Sequence, residues 1–173
     1  MRGLRVWLCL CLAVVAACQR APKTYPMPAQ RHQPDADDPP PSGTYVSFAD
    51  FDAGDYIVRD INPGGARRWT LDHPEMRFRI EPQPGLRFSM DFAIVDTTFR
   101  HTGPVTVTVK INGHSLGVIR CARPRDYHFE RPVPAEWLHP GEPATVVAEA
   151  SPLWTASKDG VHLGYLLEQA GFR

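Results

Sequence analysis

Seven histidines, 19 acidic residues and four tryptophans are the side chains of this 173-residue chain with the most chemistry to offer. His32, His73, His101, His114, His128, His139 and His162 are scattered, with no H-x-H and no H-E-x-x-H spacing, so the pattern assigns no metal centre. No G-x-S-x-G or cysteine–histidine signature is present, which leaves nucleophilic catalysis without a motif. Pro63-Gly64-Gly65 lacks the Lys and the helix that a phosphate loop requires. Asp91, Asp96, Glu149 and Asp159 are the acids from which a glycoside-cleaving pair would be drawn, but Asp91 alternates with apolar neighbours and reads as the wet face of a strand. The expectation is a protein that is not an enzyme and needs no cofactor.

Binding chemistry is better represented. An aromatic face stacks on the C–H groups of a sugar ring, while planar polar side chains bond its hydroxyls. Trp69, Trp137 and Trp154 are the candidate platforms, and Arg67, Arg68, His114, Arg120 and Asp159 are candidate hydrogen-bonding partners. Trp154 lies in Ser-Pro-Leu-Trp-Thr-Ala-Ser-Lys-Asp-Gly, a stretch that reads as a loop, and loops carried on a rigid scaffold collect binding residues. The segment 154–159 is therefore the expected contact surface. Core or edge packing competes for each tryptophan, and capping of the Asp159-Gly160 turn competes for the aspartate.

The elements that must position these groups follow a period of two. Met76, Phe78 and Ile80 alternate with arginines, and Leu86, Phe88, Met90, Phe92 and Ile94 alternate with Arg87, Ser89 and Asp91. Val105, Val107, Val109 and Ile111 alternate with Thr106, Thr108 and Lys110. Each run has one apolar and one wet face, as strands of an antiparallel sheet do. Asn112-Gly113 signals a type I′ hairpin, with 114–120 as the returning strand. Further strands are expected over 44–48, 56–60, 67–71, 126–131, 145–150 and 161–172, and one helical turn over 135–138, stopped by Pro140-Gly141. Short strands separated by Pro, Gly or Asn spell an all-β, two-sheet antiparallel sandwich occupying 44–173.

Charge sets outer bounds. Lys plus Arg and Asp plus Glu are 19 each, which removes the electrostatic footprint of a nucleic-acid binder. Arg2 and Arg5 precede an unbroken apolar run from Val6 to Val15, the secretory signal pattern, too short for the roughly 20 residues of a membrane span. Removing both arginines leaves 17 positive against 19 negative charges. Residues 18–43 carry Pro22, Pro26, Pro28, Pro34 and Pro39-Pro40-Pro41 beside Asp35, Asp37 and Asp38, and read as a disordered tether whose acidic cluster is a solvated patch.

Val15-Ala16-Ala17-Cys18 resembles the lipobox of bacterial lipoproteins. The resemblance implies a signal peptide at 1–17, cleavage before Cys18 and acylation of its thiol, with membrane attachment through several acyl chains. Gln19 in place of Asp resembles the sorting pattern of outer-membrane lipoproteins, so the expected location is the cell envelope. Cys9 and Cys11 leave with the signal, and Cys121 remains as a buried strand residue with no disulfide partner.

Val109-Lys110-Ile111-Asn112-Gly113-His114-Ser115-Leu116-Gly117 resembles the strand–hairpin–strand of galactose-binding-like jelly-roll sandwiches. Val133-Pro134 through Pro140-Gly141 and Asp159-Gly160 through Leu166-Leu167 are similar to the segments that follow in that family. Such domains occur in carbohydrate-binding modules and beside glycosyltransferases and hydrolases. The resemblance implies a jelly-roll fold and a polysaccharide or envelope-protein partner. The alternatives are a structural subunit of an envelope assembly and a small glycan-acting hydrolase.

Overall fold

Strict alternation of β-branched and aromatic residues with polar ones builds eleven strands in the computed structural model, which describes residues 43–173. The apolar N-terminal segment, Cys18 and the proline-rich stretch lie outside the described residues. The strands are β1 (Tyr45–Ser47), β2 (Ile57–Ile61), β3 (Arg68–Arg79), β4 (Arg87–Ile94), β5 (Val105–Ile111), β6 (His114–Cys121), β7 (Arg125–Pro132), β8 (Pro143–Ser151), β9 (Trp154–Thr155), β10 (His162–Leu163) and β11 (Leu166–Phe172). One α-helix, α1 (Asp96–Thr102), and two 3-10 turns, Phe51–Tyr56 and Ala135–Trp137, complete the described elements.

The first sheet runs β1–β11–β4–β7 and the second β3–β8–β5–β6, with β2 along the free side of β3 and every pair antiparallel. Sheet neighbours come from distant parts of the chain, and this order is that of a jelly roll: an all-β, two-sheet sandwich. Between the sheets, Phe172 meets Phe78 and Phe88 edge-on at 5.6 and 5.3 Å. Tyr165 is fully buried and donates its hydroxyl to the Ala148 carbonyl at 2.8 Å, so its polar tip does not go unpaired.

Local chemistry explains the joints. Asn112 and Gly113 both take positive φ, 46° and 81°, as a type I′ turn demands. The Asn112 amide then ties three elements together. Its Nδ2 donates to the Trp137 carbonyl at 2.7 Å, and its Oδ1 accepts from the Thr145 N–H at 2.8 Å. Gly171 lies between Tyr45 and Ser89 in the first sheet, and a Cβ there would collide with the Thr44 carbonyl oxygen and Tyr45 Cα. The absent side chain lets the Tyr45 ring lie across the sheet, and Arg173 covers the ring's other face at 3.8 Å.

Three expectations are corrected, and one element appears that the sequence reading did not assign. The strands read over 67–71 and 76–80 are one element, β3: its first residues pair with β11 and its later ones with β8, so it passes from one sheet into the other. The strand read over 161–172 divides into β10 and β11. At the break, the Gly164 N–H bonds to the Thr70 carbonyl, and a Cβ on Gly164 would lie 2.7 Å from Thr70 Oγ1. The stretch around Trp154, read as a loop, contains β9, which pairs with β10. Helix α1 was not expected from its Thr-rich sequence; an Asp96–Arg100 pair at 2.9 Å and Gly103 at φ 68° support its two ends.

Candidate functional site

The strand register decides which residues share an end of the sandwich. At one pole lie the start of β3, the link from β4 through α1 to β5, the β6–β7 turn, and the β8–β9 and β10–β11 connections. At the other lie the chain start at Thr44, the β3–β4 loop, the Asn112-Gly113 hairpin, the β7–β8 connection and Arg173. This divides the six residues singled out from the sequence. Trp69, Trp154, Asp159 and Arg120 belong to the first pole, and Trp137 and His114 to the second.

Trp137 and His114 are a closed pair. Their rings stack at 5.0 Å and 15°, and Trp137 packs against the core. The face expected to hold a ligand is covered by the histidine. A shallow depression of about 380 Å³ lies at the same pole, floored by Ile80, Leu86 and Phe172 and rimmed by Thr44, Arg79 and Arg173.

At the first pole Trp154 is half-buried and carries His101 of α1 on one face, at 5.7 Å and 12°. That leaves one side of its indole for anything else. Asp159 is committed to its own turn, its Oδ1 accepting the Val161 N–H at 3.2 Å. Arg120 projects from the outer face of the second sheet, in a cross-strand row with Thr106 and Ser151.

Trp69 is placed differently from the others. It stands on the outer face of the first sheet, half-buried, with no aromatic ring stacked on it among the described residues. The register sets Trp69, Leu166, Ala93 and Asp126 in one row across four strands. The indole therefore shares an apolar row with the half-buried Leu166 and the buried Ala93, and the row ends in a carboxylate. Arg67 fixes the polar border, reaching Glu168 at 2.9 Å and Asp126 at 3.4 Å. The next row continues the polar surface: His128 Nδ1 stands 2.5 Å from Asp91 Oδ1, and Gln169 Nε2 donates to Asp91 Oδ2. Beyond it Arg87 holds Glu130 at 2.5 Å, and this neighbouring guanidinium keeps the Glu130 carboxyl below the ordinary carboxylate range.

Ser89 lies deeper on this face, fully buried, with the Tyr45 phenol beside it. Neither hydroxyl has a well-formed hydrogen bond among the described residues. Desolvation raises the Tyr45 pKa, so the phenol stays protonated. On the second sheet, Glu149 bonds Lys110 and His73, each at 2.9 Å, and these contacts hold its pKa down. Among the described residues no cluster of His, Cys, Asp or Glu is arranged to hold a metal ion. The groups that sequence reading missed are Asp126, Glu168 and His101. Their roles depend on pairings across strands that no local pattern announces.

No protein-family model matches the chain, and no curated protein does. Among solved structures, an exo-beta-1,3-galactanase from Phanerochaete chrysosporium superposes with a TM-score of 0.43 at 11% identity, covering 77% of this chain and 29% of its own. A CBM36-1 domain of a multidomain xylanase from the hindgut metagenome of Trinervitermes trinervoides gives 0.32 at 15% identity, covering 58% of this chain and 71% of its own. A family GH115 4-O-methyl-alpha-glucuronidase with specificity for decorated arabinogalactans gives 0.40 at 12%, covering 90% and 19%. The chain thus spans under a third of the length of both enzymes. The fold assignment rests on the strand order and register above.

Proposed function

We propose that this protein is a non-catalytic, lipid-anchored envelope module that binds glycan at the pole carrying Trp69 and Trp154. One observation carries the reading: the half-buried, unstacked indole of Trp69 lies in one cross-strand row with the half-buried Leu166, a row that ends at Asp126 and is bordered by Arg67 and Glu168 held in place by ion pairs. Apolar faces beside fixed polar groups are what a sugar ring requires, and fixing the polar groups beforehand lowers the entropy lost on binding. Glu130 and Glu149 are both held below the ordinary carboxylate range, so neither is suited to be a glycosidase proton donor.

Anchoring belongs to the same proposal. Cys18 is the acylated residue, and the outer membrane is the site of attachment. Mass spectrometry of the N-terminal peptide checks the acyl groups, and Cys18→Ser releases the protein into the soluble fraction.

A glycan array probed with the full-length protein tests the binding reading. Trp69→Ala and Trp154→Ala each weaken retention at least tenfold, while Trp137→Ala, at the opposite pole, leaves it unchanged. Circular dichroism confirms that each variant folds. Retention indifferent to both first-pole substitutions refutes the site. A structural role in an envelope assembly is favoured by one feature, the fully exposed Phe51 side chain. Co-purification of a partner that Phe51→Ser abolishes would establish that role instead.

A further inference from the structure

The acidic and basic residues of this chain balance overall but not locally. Between Asp96 and Asp126 there is no Asp or Glu, while Arg100, Lys110, Arg120, Arg123 and Arg125 all fall in that interval. Arg100 is neutralised by Asp96 and Lys110 by Glu149. The other three gather at the β6–β7 turn, and none of them faces a carboxylate among the described residues. The turn is held rigidly. The Tyr127 hydroxyl donates to the Arg123 carbonyl at 2.8 Å and accepts the Arg123 N–H at 3.3 Å. Arg125 lies over the Tyr127 ring at 4.8 Å, which fixes its guanidinium at the pole. Arg120 stands next along β6, with the hydroxyls of Thr106 and Ser151 beside it in register.

We infer that the β6–β7 turn is a carboxylate-recognition site and that the glycan bound at this pole is an acidic one, bearing uronate groups. The inference rests on the glycan reading above and names its substrate class. Guanidinium groups match a carboxylate with two parallel hydrogen bonds, and neighbouring hydroxyls complete its acceptor positions. Three cations with no carboxylate partner among the described residues leave that capacity unspent. The turn adjoins the Trp69 row at Asp126, the residue that follows Arg125, while Arg120 lies on the outer face of the other sheet, so a polymer reaches from Trp69 to Arg120 by crossing the end of the sandwich between them.

The test uses full-length protein in detergent with polygalacturonate, alginate and hyaluronate, each compared with its carboxyl-reduced counterpart. The carboxylated polymers are expected to bind about tenfold tighter than the reduced ones at low salt, a preference that salt screens away. The double variant Arg120→Gln/Arg123→Gln loses that preference, and Arg120→Lys/Arg123→Lys keeps part of it. Unchanged melting of the glutamine variant shows that the loss is not unfolding. Four outcomes overturn the inference: equal binding of both polymer forms, a preference that survives the glutamine variant, capture by phosphatidylglycerol vesicles with no polymer bound, or self-association that the same variant abolishes with no polymer bound. Reduced polymers held through Trp69 regardless of charge would sink only this inference. Failure of every polymer would sink the glycan reading with it.

Discussion

Cys121 shows how one position can be chemically silent by placement alone. It ends β6 opposite Val105, fully buried, and burial pushes its thiol up to about 11, against the modest pull of Arg125. Only the thiolate is a competent nucleophile, so the folded protein at pH 8 should react with a disulfide reagent orders of magnitude more slowly than free cysteine. In denaturant the reaction should become fast. Rapid modification of Cys121 in the native protein, read by mass spectrometry of the peptide that carries it, would contradict the burial described here. This residue's burial was expected from its apolar strand context. The stacking of His114 on Trp137 was not, because a hairpin and a distant 3-10 turn must first be brought to the same pole.

At the scale of elements, the β5–β6 hairpin is the joint on which most depends. Asn112 satisfies a turn with positive φ, the Trp137 carbonyl and the Thr145 N–H at once. Asn112→Ala removes both side-chain bonds and places an unfavoured residue in the left-handed region. A loss of about 2–3 kcal/mol is expected, measured by urea unfolding. Asn112→Gly keeps the turn geometry and should lose less. The hairpin was legible because its signal lies in two adjacent residues. The runs that became β4 and β5 were legible because one face is wet and the other dry. The continuity of β3 was hidden, since His73-Pro74 interrupts the alternation at the point where the strand changes sheets. Helix α1 was hidden for another reason: seven residues rich in threonine offer too short a window for a helical period.

Across the whole molecule, acid stability depends on carboxylates paired on the two outer faces. Lys110 and then His73 depress the Glu149 pKa, as Arg87 depresses that of Glu130. A depressed folded-state pKa contributes stability that is present above the unfolded value, about 4.3 for Glu, and lost as pH falls through the folded one. Glu149→Gln should therefore lower stability at pH 7 and flatten its decline below about pH 4.3, seen in melting temperature against pH. An acid limb as steep as in the unsubstituted protein would show that Glu149 contributes nothing. The candidate site was legible only in part at this scale. Trp69 is visible as an aromatic residue, but its row through Leu166 and Ala93 to Asp126 exists only once four separate strands are in register.

The latch at Gly171 has a geometric consequence. Because Tyr45 closes over that glycine and Arg173 closes over Tyr45, the chain enters the body and leaves it at the same heel. The pole carrying Trp69 and Trp154 faces the other way. A fluorophore or fusion partner joined after Arg173 would sit beside Thr44, a full strand length from the pole carrying Trp69 and Trp154.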